Sequence, residues 1–211
     1  MDILYRDKHI IVCIKPAGVV STEAPGGMPA LLREALGDEK AAIFPVHRLD
    51  RDVGGLMVYA LSSAAAAALS RRITEGGFQK EYLALVHGCP EEENGRFDDL
   101  LFHDSAKNRS YVVKRLRKGV RDAALEYQVL EKRGSETLVK IRLLTGRTHQ
   151  IRVQFASRRM PLVGDKKYGA KDGASAPALW SHSISFTHPA TGKPVCFTAP
   201  CPWAGEAENL S

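Results

Sequence analysis

The feature that most constrains this chain is a period of two. Within residues 138–144, Val139, Ile141 and Leu143 point to one side of an extended segment, and Lys140 and Arg142 to the other. That is the pattern of a strand with one buried and one wet face. Short apolar runs at 10–14, 56–61, 82–86, 124–130, 179–186 and 195–198 also read as strands, with Gly, Pro or polar turns around them. Helical signals are fewer. Residues 30–36 predict a helix that stops at Gly37. Ser62 or Ser63 caps an alanine-rich helix through about Ile73, which Gly76-Gly77 ends. Thr148 is positioned to cap a third, with Ile151 and Phe155 on one face. Residues 24–29 read as a loop and 91–95 as a turn. Strands and helices do not alternate strictly, so the expected class is α+β: a mixed, largely antiparallel sheet with flanking helices.

The 211 residues suffice for a sizeable core, and no linker divides them. One domain over 1–211 is expected, with a flexible tail after about 203. No apolar run approaches the roughly 20 residues of a membrane span, and the N-terminus lacks a signal peptide's long apolar stretch. A cytoplasmic protein with no membrane partner is expected. Cys13, Cys89, Cys196 and Cys201 form no Cys-x-x-Cys pair. They read as reduced thiols, and no metal site is expected.

The net charge of +6 permits a polyanionic partner without demanding one. Its distribution says more. Residues 107–121 hold Lys107, Arg109, Lys114, Arg115, Arg117, Lys118 and Arg121, with no Asp or Glu. Most charge runs are solvated loops. Like charges crowded into a short segment repel one another, however, and a phosphate backbone relieves that repulsion. The segment is expected to form a loop or ribbon that grips nucleic acid. Tyr111, Val112 and Val113 would anchor its start, and Lys114, Arg115, Arg117 and Lys118 would face phosphates.

Three segments carry candidate chemistry. His47-Arg48-Leu49-Asp50 places a carboxylate among cations just before Gly54-Gly55 and an apolar strand. Taken alone, Asp50 reads by default as a loop carboxylate paired with an arginine. Residues 80–88 contain Tyr82, on its own an ordinary half-buried aromatic of a strand. In Thr145-Gly146-Arg147-Thr148-His149-Gln150-Ile151-Arg152 a strand gives way to a helix, and Arg147 is by itself one more surface arginine.

Together the three segments resemble the RluA-like family of RNA pseudouridine synthases. Lys15-Pro16-Ala17-Gly18, Leu162-Val163-Gly164-Asp165 with Tyr168-Gly169, and Phe186-Thr187-His188-Pro189 resemble further segments of the same family. The likeness runs from about Ile3 to Pro202, and the order and spacing of the motifs make it specific. It implies isomerisation of uridine in structured ribosomal or transfer RNA; that chemistry requires no cofactor, and the sequence offers no phosphate loop or metal cluster, and a monomer is expected. It implies Asp50 as the catalytic carboxylate, Arg147 as the cation that keeps it ionised, and Tyr82 as the ring that stacks on the target base. Arg48 would fill the place of the flipped uridine, and His47 beside it would contact the RNA. No additional N-terminal RNA-binding domain is expected. The chain departs from the family at Val53-Gly54, where many members have Thr-Ser.

Two other readings compete. A non-catalytic RNA-binding module has no need of Asp50, Tyr82 and Arg147 together. A glycosidase using Asp50 and Asp52 places its carboxylates two residues apart, on opposite faces of an extended segment.

Overall fold

The computed structural model describes residues 2–205. The chain forms two compact units. One comprises Met1–Lys80 with Trp180–Pro200, the other Glu81–Leu179 with Cys201–Ser211.

The first unit holds β1 (Ile3–Arg6), β2 (Ile10–Lys15), α1 (Met28–Leu36), β3 (Phe44–Pro45), β4 (Gly54–Ala60) and α2 (Ser63–Thr74). Most of β10 (Leu179–Thr187) and all of β11 (Pro194–Thr198) complete it. Strand β4 is buried at every residue, which is why it reads as a continuous apolar run rather than an alternating one. One of its edges pairs antiparallel with β2 along its length. It also pairs parallel with β10 at Gly54 and Gly55 and antiparallel with β3 at Tyr59 and Ala60. Ile10, Val12, Leu56 and Val58 pack with Ala65 and Leu69 of α2 and with Phe78, Ile184 and Phe186. Ala65 and Leu69 are four residues apart, hence on one face of the helix. Ser62 caps α2 by accepting from Ala65 N at 3.2 Å. Helix α1 begins at Met28, inside the expected loop, with Pro29 in its first turn, where a missing N–H costs nothing.

In the second unit, β5 (Phe78–His87, in this unit from Glu81), β6 (Asn94–Asp104), β7 (Arg109–Val113), β8 (Val120–Arg133) and β9 (Glu136–Leu143) form antiparallel pairs in the order β5-β9-β8-β6-β7. Helix α3 (Gln150–Ser157) packs on β6 and β7 and on a 3-10 turn at Lys166–Tyr168. Phe155 sits edge-on to Phe97 and Tyr127. Val153, Leu101, Ala123 and Tyr168 form a second cluster. A buried ion pair ties α3 to the following loop: Arg152 donates to Asp165 through Nε at 2.7 Å and Nη2 at 2.8 Å.

Among the described strand pairs only β4–β10 is parallel, so the mixed, largely antiparallel α+β class is observed. Thr148 does not cap α3. The residue before the helix is His149, in the left-handed conformation at φ 54°, with no side-chain cap. The turn read at 91–95 gives way to a strand from Asn94. Near the C-terminus, Arg133 donates to the carbonyls of Trp203 and Ala204, and residues 206–211 of the expected flexible tail lie outside the described residues. No helix among the described residues is long and apolar enough to cross a membrane.

Candidate active site

The segment carrying Asp50 lies in the first unit, between β3 and β4. Burial alternates along it: His47 and Leu49 are buried, Arg48 is exposed and Asp50 partly so. Arg48 and Asp50 therefore share the open side. The backbone on both sides of Asp50 is fixed by two buried polar side chains. Ser21 Oγ donates to Leu49 O at 2.9 Å and accepts from Leu49 N at 3.0 Å. Lys15 Nζ donates to the carbonyls of Pro16, Val19 and Arg51 at 2.9, 2.6 and 2.9 Å. Gly18 N also donates to Arg51 O at 2.8 Å, and Val53 N closes a turn onto Asp50 O at 3.1 Å. The main chain that carries the Asp50 carboxylate is thereby pinned at Leu49 and Arg51.

Lys15 is fully buried, with all three ammonium hydrogens used. Burial lowers its pKa to about 8, against the opposing pull of Asp52 and Asp50. The unfolded chain binds a proton here up to the ordinary 10.5, and the folded chain only to about 8. Stability from this group therefore rises with pH between those values. Lys15→Met is expected to remove that rise. The check is the urea midpoint of both proteins at pH 7.5 and 10; an equal gain in the variant would assign the rise to other groups.

His47 is placed differently from expectation. Its imidazole is 8% exposed, packs on Phe78 at 5.4 Å between centroids, and accepts the Val58 N–H through Nε2 at 3.0 Å. It thus extends the β3 edge by one hydrogen bond where the strand ends at Pro45. Burial, with Lys80 a smaller cause, lowers its pKa to about 3, so it is neutral at ordinary pH. This corrects the expected RNA contact: His47 positions the loop from inside.

Arg147 and Tyr82 belong to the second unit. Arg147 lies exposed in the turn between β9 and α3. The Gln150 amide organises that turn. Its Oε1 accepts from Arg147 N at 3.0 Å and Thr145 Oγ1 at 2.7 Å, and its Nε2 donates to Ala124 O at 3.0 Å. Arg147 Nε donates to Asp122 O at 2.9 Å. The strained His149 is held by Tyr168, whose hydroxyl accepts from Ser110 N at 2.8 Å and lies 3.0 Å from His149 Nδ1. Ser110 Oγ donates to Thr148 O at 2.6 Å. Tyr82 lies opposite Ile141 in the β5–β9 pair and is 4% exposed. Lys114, Arg115, Arg117 and Lys118 are all exposed in the loop between β7 and β8. No group of three or more His, Cys, Asp or Glu among the described residues is placed to hold a metal ion.

The family model described as RNA pseudouridylate synthase matches residues 9–157. The chain belongs to the RNA pseudouridylate synthase family. By that membership it is an isomerase of RNA uridine. It is 35% identical to an uncharacterised RNA pseudouridine synthase, YlyB, of Bacillus subtilis, over all of this chain and 73% of that one. It is 34% identical to ribosomal large subunit pseudouridine synthase D of Xanthomonas campestris, over 96% of this chain and 66% of that one. The chain thus spans about two thirds to three quarters of the length of these relatives. The structure of human RNA pseudouridylate synthase domain containing 1 matches with a TM-score of 0.80 and 25% identity, covering 96% of this chain and 84% of that one.

Against this family, Val53-Gly54 acquires a physical reason. Val53 is buried, and the space beside Gly54 is filled by the Trp180 ring, which a Cβ would meet at 2.6 Å. A serine here requires the indole to move. Gly55, at φ 115°, lies against the Ser181 backbone, where a Cβ has no room. Ser21 is the site residue that sequence reasoning missed, and Lys15 was marked only as part of a motif, without a role. A lysine at the end of an apolar strand was a usable sign for the role of Lys15; nothing local marks Ser21.

Proposed function

We propose that this chain, as a cytoplasmic monomer, isomerises specific uridines of ribosomal RNA to pseudouridine with the Asp50 carboxylate. Family membership supports the reaction class, and the names of relatives support ribosomal RNA as the substrate ahead of transfer RNA. The observation that carries the assignment to Asp50 is its loop, with Ser21 and Lys15 holding the backbone on either side of a carboxylate that shares the open side with Arg48.

The reaction breaks N1–C1′, turns the base, joins C5 to C1′, releases the C5 proton and places a proton on N1, with no net redox change. An ionised carboxylate serves by attacking C1′, by attacking C6, or by taking a ribose proton. Arg147 is the cation proposed to favour that ionised form. Arg48 would fill the helix after the uridine leaves it; such flipping costs a few kcal/mol. Mapping pseudouridines in total RNA with and without the protein identifies the target. Changes confined to transfer RNA would overturn the ribosomal assignment.

Tyr82 is proposed to contact the target base and to assist a late proton transfer. Tyr82→Phe is expected to keep much of the base contact and lose the hydroxyl chemistry, and Tyr82→Ala to damage both. Single-turnover rates separate these effects, and an alanine variant as fast as the parent would remove Tyr82 from the site.

The loop between β7 and β8 is proposed to hold the RNA backbone. Each phosphate neutralised contributes about 0.7 to 0.9 to the slope of log affinity against log salt. Replacing Arg115, Arg117 and Lys118 together by Gln is expected to weaken binding and flatten that slope. A parental slope and affinity would return the loop to a merely solvated surface.

A further inference from the structure

Two large side chains of the cationic segment 107–121 are exposed although they carry no charge. Tyr111 is 36% exposed and Leu116 is 72% exposed. A single exposed leucine is ordinary on any protein. Here two large apolar groups are bared within an acid-free run of seven cations. Tyr111 was expected to anchor the segment, yet β7 turns the other way. Ser110 is buried and Val112 packs on the Leu101–Val153 cluster, so the alternation of the strand sends Tyr111 outward. Strand β7 ends the order β5-β9-β8-β6-β7, so Tyr111 stands on an outer strand.

The ring is also braced. The Arg109 guanidinium carbon lies 5.7 Å from the Tyr111 ring centroid and 5.2 Å from that of Tyr168. Arg117 is drawn over Phe102, the strand partner of Tyr111, at 5.1 Å. Leu116 sits between Arg115 and Arg117 in the loop between β7 and β8. An aromatic ring and a leucine interleaved with cations suit one kind of ligand: unpaired nucleotides, whose phosphates take the charges and whose bases take the apolar faces. A paired helix hides its base faces and offers only the first contact.

We infer that Tyr111 and Leu116 form a base-stacking strip that engages unpaired nucleotides of the RNA outside the catalytic pocket. The inference rests on the proposed backbone grip of this loop and adds a preference for unpaired structure that phosphate contacts alone do not give.

The test uses the full chain and two fluorescein-labelled RNAs of equal length, a stem-loop and a fully paired duplex, with binding followed by anisotropy over a range of salt. Tyr111→Ser combined with Leu116→Ser is expected to bind the stem-loop about tenfold more weakly, within the range for loss of a base–aromatic stack. Its salt slope and duplex affinity should match the parent, and Tyr111→Phe should bind as the parent does. Unchanged stem-loop affinity overturns the inference, and so does an equal loss on both RNAs, which marks a disturbed loop. The Arg115, Arg117 and Lys118 to Gln variant tests the underlying grip separately: its slope should flatten on both RNAs. If it flattens while the serine variant binds normally, the grip stands and the stacking strip falls.

Discussion

Asp50→Asn is expected to lower turnover to background while leaving RNA affinity within about twofold of the parent. The amide has nearly the volume of the carboxylate, so the turn closed by Val53 N on Asp50 O, and the bonds of Ser21 and Lys15 to Leu49 and Arg51, should persist. An amide is a poor nucleophile and a poor base, and each route open to this site needs one or the other. Loss of a group that acts directly on the reacting bond commonly costs factors of about 10⁴ or more in rate. Turnover and equilibrium binding on one RNA substrate provide the check. Multiple turnover within tenfold of the parent would remove Asp50 from the chemistry. Loss of binding and turnover together would mean that the substitution had disturbed the loop.

The second large effect lies in the scaffold beneath Arg147. Arg152 and Asp165 form a bidentate pair with side-chain exposures of 5% and 0%. Arg152 also lies 5.3 Å from the Tyr168 ring centroid, and Tyr168 holds His149. Arg152→Met strands a carboxylate that water cannot reach. Breaking a buried pair in this way costs about 3–5 kcal/mol, or roughly 10 °C in Tm for a chain of this size. Urea unfolding measures it. The double variant Arg152→Met, Asp165→Asn is expected to recover part of the loss, because the uncompensated charge is then gone. A single-variant cost below about 1 kcal/mol would show that the pair is solvated or replaceable.

Much of the fold was legible where local pattern and tertiary environment agree. The 138–144 alternation holds in β9 at Val139, Ile141 and Arg142, whereas Leu138, on the face of Lys140 and Arg142, is buried as well. The Ser62 cap and the alanine-rich helix are as read. Strand β6 was missed for a specific reason. Phe97, Asp99 and Leu101 lie on one face, but the middle position is an acid, which breaks the apolar period. That acid is satisfied by Gln154 Nε2 of α3 and by Nη1 of Arg158 just after the helix, both at 2.8 Å. A sequence cannot announce a partner 55 residues away. The same holds at the site. Asp50 was marked by its motif, whereas Ser21 matters only because Leu49 lies 28 residues on. His47 looked like one more RNA-facing cation until the Val58 N–H fixed it inside.

Release of tritium from RNA labelled at uridine C5 tests the central claim most directly, because moving the glycosidic bond to C5 must expel that atom. Purified protein incubated with labelled ribosomal RNA is expected to release tritium to water in step with pseudouridine appearing in the product, and the Asp50→Asn protein to release none above background. RNA binding without tritium release by the parent protein, on RNA unmodified at its targets, would contradict the account.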